Sequence, residues 1–87
     1  MKNFDNMLIE IRKMQIPIIT VTSINNNGHN RCYIIIANGN HEITVFVFDD
    51  DSLVKVDHID MGFHSAIYVY SEVVLNNPGS TFKLISL

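Results

Sequence analysis

RCYIIIANGNHEITVFVFDDD, residues 31–51, decides how this chain folds. Two β-branched and aromatic runs flank Asn38-Gly39, and Asn-Gly between such runs favours a two-residue hairpin turn of type I′, because both residues tolerate φ > 0. The predicted hairpin turns at Ala37–Asn40. It sets Ile36 opposite His41, Ile34 opposite Ile43 and Cys32 opposite Val45, a nearly all-apolar face expected to form the core. The other face then carries Arg31, Tyr33, Ile35, Glu42, Thr44, Phe46 and Phe48. A four-residue loop keeps these faces, whereas an odd loop mixes them, so the alternation argues against an odd loop. The second face is itself rich in apolar residues. Either another element covers it or it is a binding surface, and coverage is the commoner case.

Outward from the hairpin, residues 3–14 predict a helix. Phe4, Met7, Leu8, Ile11 and Met14 recur at helical spacing, Asn3 or Asp5 can cap its start, and Arg12 and Lys13 suit its last turn. Pro17 stops that helix, and IPIITVTSI (16–24) reads as a strand, placed at a sheet edge because proline lacks an N–H. NNNGHN (25–30) reads as a polar loop. Residues 62–75 fit a helical stripe of Phe63, Ala66, Ile67, Tyr70, Val73 and Val74; the alternative is a hairpin of 66–75 with 81–87. NNPGS (76–80) is a turn and TFKLISL (81–87) a final strand. The expected fold is α+β, one domain over residues 1–87. An N-terminal helix packs on a three- to four-stranded antiparallel sheet, with a second helix (or hairpin) after residue 60.

Composition narrows function. The apolar fraction is 47% and the charged fraction 17%, as in an ordinary globular chain. No run reaches the roughly 18 apolar residues of a membrane helix, and the N-terminus MKNFDNMLIEIRK lacks the pattern of a signal peptide. A lone cysteine, Cys32, makes no internal disulfide, so a reducing, cytoplasmic setting is expected. The net charge of −3 is uneven. Residues 41–60 hold six acids against Lys55, whereas residues 1–40 are slightly positive. Six cations form no basic stripe, which argues against a grip on a phosphate backbone.

Asp49-Asp50-Asp51 has three readings. Carboxylates at a strand end suit a hard cation, but three adjacent aspartates cannot all point at one ion. Alternatively Asp51 or Ser52 caps a short helix through LVKVDHI, the others forming a solvated turn. His29, His41, His58 and His64 match no strong zinc spacing, although His58 and His64 offer an alternative metal pair. Cys32, expected on the core face, is inert as a nucleophile. No Gly-rich phosphate loop or nucleophile elbow occurs, so no enzyme and no cofactor is implied. The aromatic face of Tyr33, Phe46 and Phe48 with Arg31 has the make-up of a base-stacking platform but lacks surrounding cations.

LIEIRK in the first helix, a strand, the hairpin YIIIANGNHEITVF and an acidic turn before DSLVKV together resemble the small phage anti-CRISPR proteins that block Cas9. The resemblance covers residues 6–56. It implies a helix, a three-stranded sheet and a further helix, with carboxylates imitating DNA at the site that reads the protospacer-adjacent motif. This chain is less acidic, and residues 61–75 are apolar where that family is charged. The broader implication is a small non-enzymatic antagonist, of phage or mobile-element kind, that occludes a larger host or defence protein. On this reading Asp49, Asp50, Asp51, Asp57 and Asp60 meet a basic surface, and Tyr33, Phe46 and Phe48 supply apolar anchors. If the second sheet face is left uncovered, a homodimer buries it.

Overall fold

The computed structural model describes residues 3–86. The elements run α1 (Phe4–Arg12), β1 (Ile18–Asn26), β2 (His29–Ala37), β3 (Ile43–Asp49), β4 (Ser52–Ile59), α2 (Phe63–Leu75) and β5 (Thr81–Ile85). The strands form one antiparallel sheet in the order β4-β3-β2-β1-β5. The fold is the expected α+β arrangement with a second helix after residue 60, but the sheet has five strands.

α1 starts where Asn3, in extended conformation, accepts a hydrogen bond on its side chain from the Asn6 N–H at 2.9 Å. This satisfies one of the orphan donors at a helix start. Met7 and Ile11 are its buried stripe. With Phe4 and Leu8 they pack on Ile18, Ile34 and Phe48. α2 packs on the opposite face. There Ala66, Ile67, Tyr70, Val73 and Val74 cover Ile19, Val21, Ile35, Val45 and Val47. Each face of the sheet therefore has its own helix and its own core. Ile34 and Ile35, neighbours on β2 that point to opposite faces, are both wholly buried.

That double coverage overturns the predicted hairpin register. Ile34 pairs with Phe46, Ile36 with Thr44 and Cys32 with Phe48. The Asn38 N–H donates to the Glu42 carbonyl at 2.8 Å, which leaves Gly39, Asn40 and His41 as a three-residue loop, with Gly39 at φ 84°. The loop is odd, and the predicted faces are exchanged on β3: Phe46 and Phe48 join Cys32, Ile34 and Ile36 on the α1 side, while Val45 and Val47 join Tyr33 and Ile35 on the α2 side. Alternation specifies register only where one face is buried and the other polar. With both faces apolar it is silent, and the register follows from Phe48 seating under Phe4, ring centroids 5.5 Å apart and edge to face.

The two-residue turns lie elsewhere. Asn27-Gly28, within the stretch read as a polar loop, joins β1 to β2 with φ 54° and 82°, and Asn26 opposes His29. Asp50-Asp51 joins β3 to β4 with φ 48° and 69°, and Asp49 opposes Ser52. Positive φ at both central residues is the requirement of a type I′ turn, and aspartate enters that region more readily than most side chains. The segment after the turn, expected to be a short helix capped by Asp51 or Ser52, is strand β4. Its β-branched residues pair with β3, and Val54 is an extra residue where Val47 opposes Lys55 and Phe48 opposes Leu53.

β1 is not an edge strand. It lies between β2 and β5, and Pro17 precedes its first paired residue, so the missing N–H falls outside the ladder. A bulge sets Thr22 and Ser23 against Cys32, with Ser23 at φ 66°. The Ser80 hydroxyl donates to the Ser23 carbonyl at 3.2 Å and the Thr22 and Thr81 hydroxyls hydrogen-bond, tying the bulge to the start of β5.

Candidate functional site

Both tight turns, the start of α1 and the end of α2 lie at one end of the sheet, since β1 and β3 run toward it and β2, β4 and β5 run away. The three consecutive aspartates sit there and diverge. Asp49 faces Arg31 across the β2–β3 ladder, with Nε donating to Oδ1 at 2.7 Å and Nη2 to Oδ2 at 2.9 Å. This charge-assisted fork holds the Asp49 carboxyl below the usual carboxylate range and raises the Arg31 pKa further. Asp50 reaches His29, Oδ2 to Nδ1 at 2.8 Å, and its Oδ1 accepts from the Asn30 N–H at 3.3 Å. Asp51 turns toward α1, where its Oδ1 accepts from the Phe4 N–H at 3.3 Å. Asp51 therefore does serve a helix start, but that of α1, 47 residues back in the chain.

The result is an acidic tip pinned from three sides. Asp50 and Asp51 remain exposed, and Asp5 adds a further carboxylate in the first turn of α1. Asp49 is half-buried and neutralised by its arginine. The other two predicted acids lie away from the tip. Asp57 is on the α2 side of β4, 3.3 Å from Lys55, and Asp60 follows β4 at the far end of the sheet.

The expected shared aromatic face does not form. Phe48 is wholly buried beneath α1 and has no surface to offer a partner. Phe46 is half-buried on the same side, while Tyr33 lies on the other, its ring 5.8 Å from that of Tyr70. Burial, reinforced by Tyr33 and Asp57, raises the Tyr70 pKa. The base-stacking platform thus loses its geometry. Cys32, expected inside the core, is half-buried on the α1 side.

The histidines are dispersed. His29 serves the tip. His58 Nδ1 lies 3.2 Å from the Thr44 hydroxyl and 3.5 Å from Glu42, whose Oε1 also accepts from Asn38 Nδ2 at 2.6 Å. His64 is exposed in the first turn of α2. Among the described residues no three His, Cys, Asp or Glu side chains come together as a metal site.

One surface escaped the sequence reading. α2 turns Phe63, Ala66, Ile67, Tyr70, Val73 and Val74 to the sheet, and its outer face carries apolar residues among His64, Ser65, Ser71 and Glu72. Tyr68 and Leu75, two turns apart on one stripe, are 76% and 77% exposed, and Val69 is partly exposed farther round the helix. The available signal was the surplus of apolar residues in FHSAIYVYSEVVL over the single stripe a sheet-packed helix needs. Among the described residues no helix is long and apolar enough to cross a membrane. No protein-family model, curated protein or solved structure matches this chain.

Proposed function

We propose that the protein acts by binding. It is a small non-enzymatic module of the inhibitor or antagonist type, of phage or mobile-element kind, that occludes a surface of a larger host or defence protein in the host cytoplasm. The observation that carries this reading is the outer stripe of α2, where Tyr68 and Leu75 stand almost fully in water. Buried aromatic and aliphatic anchors supply most of the affinity of protein interfaces, and tyrosine is enriched among them. The acidic tip supports the same reading. Asp50 and Asp51 are held by hydrogen bonds before any partner arrives, so little ordering entropy is lost on contact. Their charge speeds and selects encounter with a basic surface. Relative to the expected site, the anchors move from Tyr33, Phe46 and Phe48 to the outer stripe of α2, and the charge narrows to the turn.

The test is capture from a candidate host lysate with immobilised protein, comparing wild type with Tyr68→Ala/Leu75→Ser and with Asp50→Asn/Asp51→Asn. Asparagine keeps the turn's positive φ and its acceptor oxygen while removing charge. One stoichiometric partner with a basic surface is expected. Its recovery falls strongly with the first pair, and falls and loses salt sensitivity with the second. A partner set unchanged by both pairs, with all variants folded, rejects the proposal.

A further inference from the structure

We infer that a second copy of this chain adds to the open edge of β4, joining two five-stranded sheets into one of ten strands about a two-fold axis at Val56. β4 is one edge of the sheet, and among the described residues its backbone pairs only with β3. α1 packs chiefly on β2, and α2 approaches the backbone chiefly at β1 and β5, so neither helix lies along this edge. Val54 and Val56 are 54% and 44% exposed on it.

The choice of a second copy rests on the charges. For two antiparallel copies of one strand in one sheet, the axis is perpendicular to the sheet and passes through a residue facing itself. With that residue Val56, Lys55 of each copy faces Asp57 of the other, and Val54 of each faces His58 of the other. Two opposite-charge pairs then form on the α2 side. On the α1 side the exposed valines are covered around the axis. Moving the axis by one residue sets Lys55 against Lys55 or Asp57 against Asp57, and like charges directly opposite destabilise a strand pair. Lys55 and Asp57 already share a face within one chain, with Nζ 3.3 Å from Oδ2. Association therefore turns one exposed pair per chain into a four-charge cluster. A bulge and a lysine are also common devices for blunting an edge; here the bulge lies at Val54, at the end of the paired segment, and the lysine meets an acid in this one register. This interface is separate from the outer stripe of α2 and the acidic tip, so the dimer and the partner contact are tested independently.

Sedimentation velocity over a concentration series is expected to give a reversible species of twice the 9.9 kDa chain mass. Lys55→Glu and Asp57→Lys, each alone, place like charges across the axis at both symmetric points and weaken the dimer by about tenfold or more. The double variant K55E/D57K restores opposite pairs and regains the wild-type dissociation constant. The circular dichroism spectrum of each variant matches wild type, since both side chains are substantially exposed. A wild type that stays monomeric at every concentration overturns the inference. A dimer unaffected by the single substitutions, or one the double variant fails to restore, overturns it equally.

Discussion

Arg31 and Asp49 stand directly opposite each other on β2 and β3, joined by two parallel hydrogen bonds of 2.7 and 2.9 Å. The pair fixes the last rung of the ladder that the sequence alternation misassigns. It also accounts for the first of the three aspartates as a structural group.

The pair makes stability depend on pH in a defined sense. Asp49 has a folded pKa below its unfolded value of about 3.9, so its contribution is complete above that value and is lost as pH falls through the folded pKa. Asp49→Asn lowers the melting temperature at neutral pH, and the gap from wild type closes in strong acid. Tyr70 acts at the other limit. Its pKa is raised by burial, so its contribution is complete below about pH 10 and is lost as pH rises through the folded value. Tyr70→Phe flattens the stability profile above that pH. Thermal melts of both variants across the pH range check the two signs.

Phe48 is the largest of the wholly buried side chains, and Phe4 meets it edge to face. Phe48→Ala is expected to cost about 3–5 kcal/mol, a large share of the stability of a small domain. Phe4→Ala costs less, because Phe4 is only half-buried, and detaches the start of α1. Urea unfolding followed by circular dichroism measures both as shifts of midpoint at nearly constant slope.

Asp51 combines a left-handed backbone at φ 69° with the hydrogen bond to the Phe4 N–H. Asp51→Ala loses the acceptor and the polar side chain that eases aspartate into the left-handed region, a cost of about 1–2 kcal/mol. Asp51→Asn retains both features and is expected to stay within about 0.5 kcal/mol of wild type. Chemical denaturation of the two variants separates geometry from charge, because both remove the same charge.

On α2 the two sides predict opposite outcomes. Tyr68→Ala and Leu75→Ala change stability by less than about 0.5 kcal/mol, since both side chains already stand in water. Ala66 is wholly buried against the sheet, and Ala66→Leu overpacks that contact at a cost of about 1–3 kcal/mol. Equal effects at the two sites, measured by denaturant midpoints, rule out the helix orientation described above.

Much of the element list was legible. The spacing of Phe4, Met7, Leu8 and Ile11 identified α1 and Asn3 caps it, whereas the stripe from Phe63 to Val74 only leaned toward α2, a hairpin staying open until the structure showed the helix. The strand segments at 16–24, 31–37 and 81–87 lie on β1, β2 and β5, with residue 87 outside the described residues. β4 was missed because Asp and Ser before LVKVDHI signal a helix cap as readily as a turn, and the turn's left-handed residues are not glycines. The site was less legible. The acids were located, but not Arg31, His29 and the Phe4 N–H as their separate partners.

By itself, then, the sequence determined α1 and the strand segments of β1, β2, β3 and β5 and leaned to a helix at 62–75, because side-chain periodicity and caps are local properties of the chain, but the same local signals read β4 as a capped helix. Tertiary structure alone decided how β2 and β3 pair, which aromatics are hidden and which carboxylates stay exposed. With a helix on each face of the sheet, both sides of a strand are apolar and alternation carries no register. The deciding contacts, Phe48 with Phe4 and Asp51 with the start of α1, join residues more than forty positions apart.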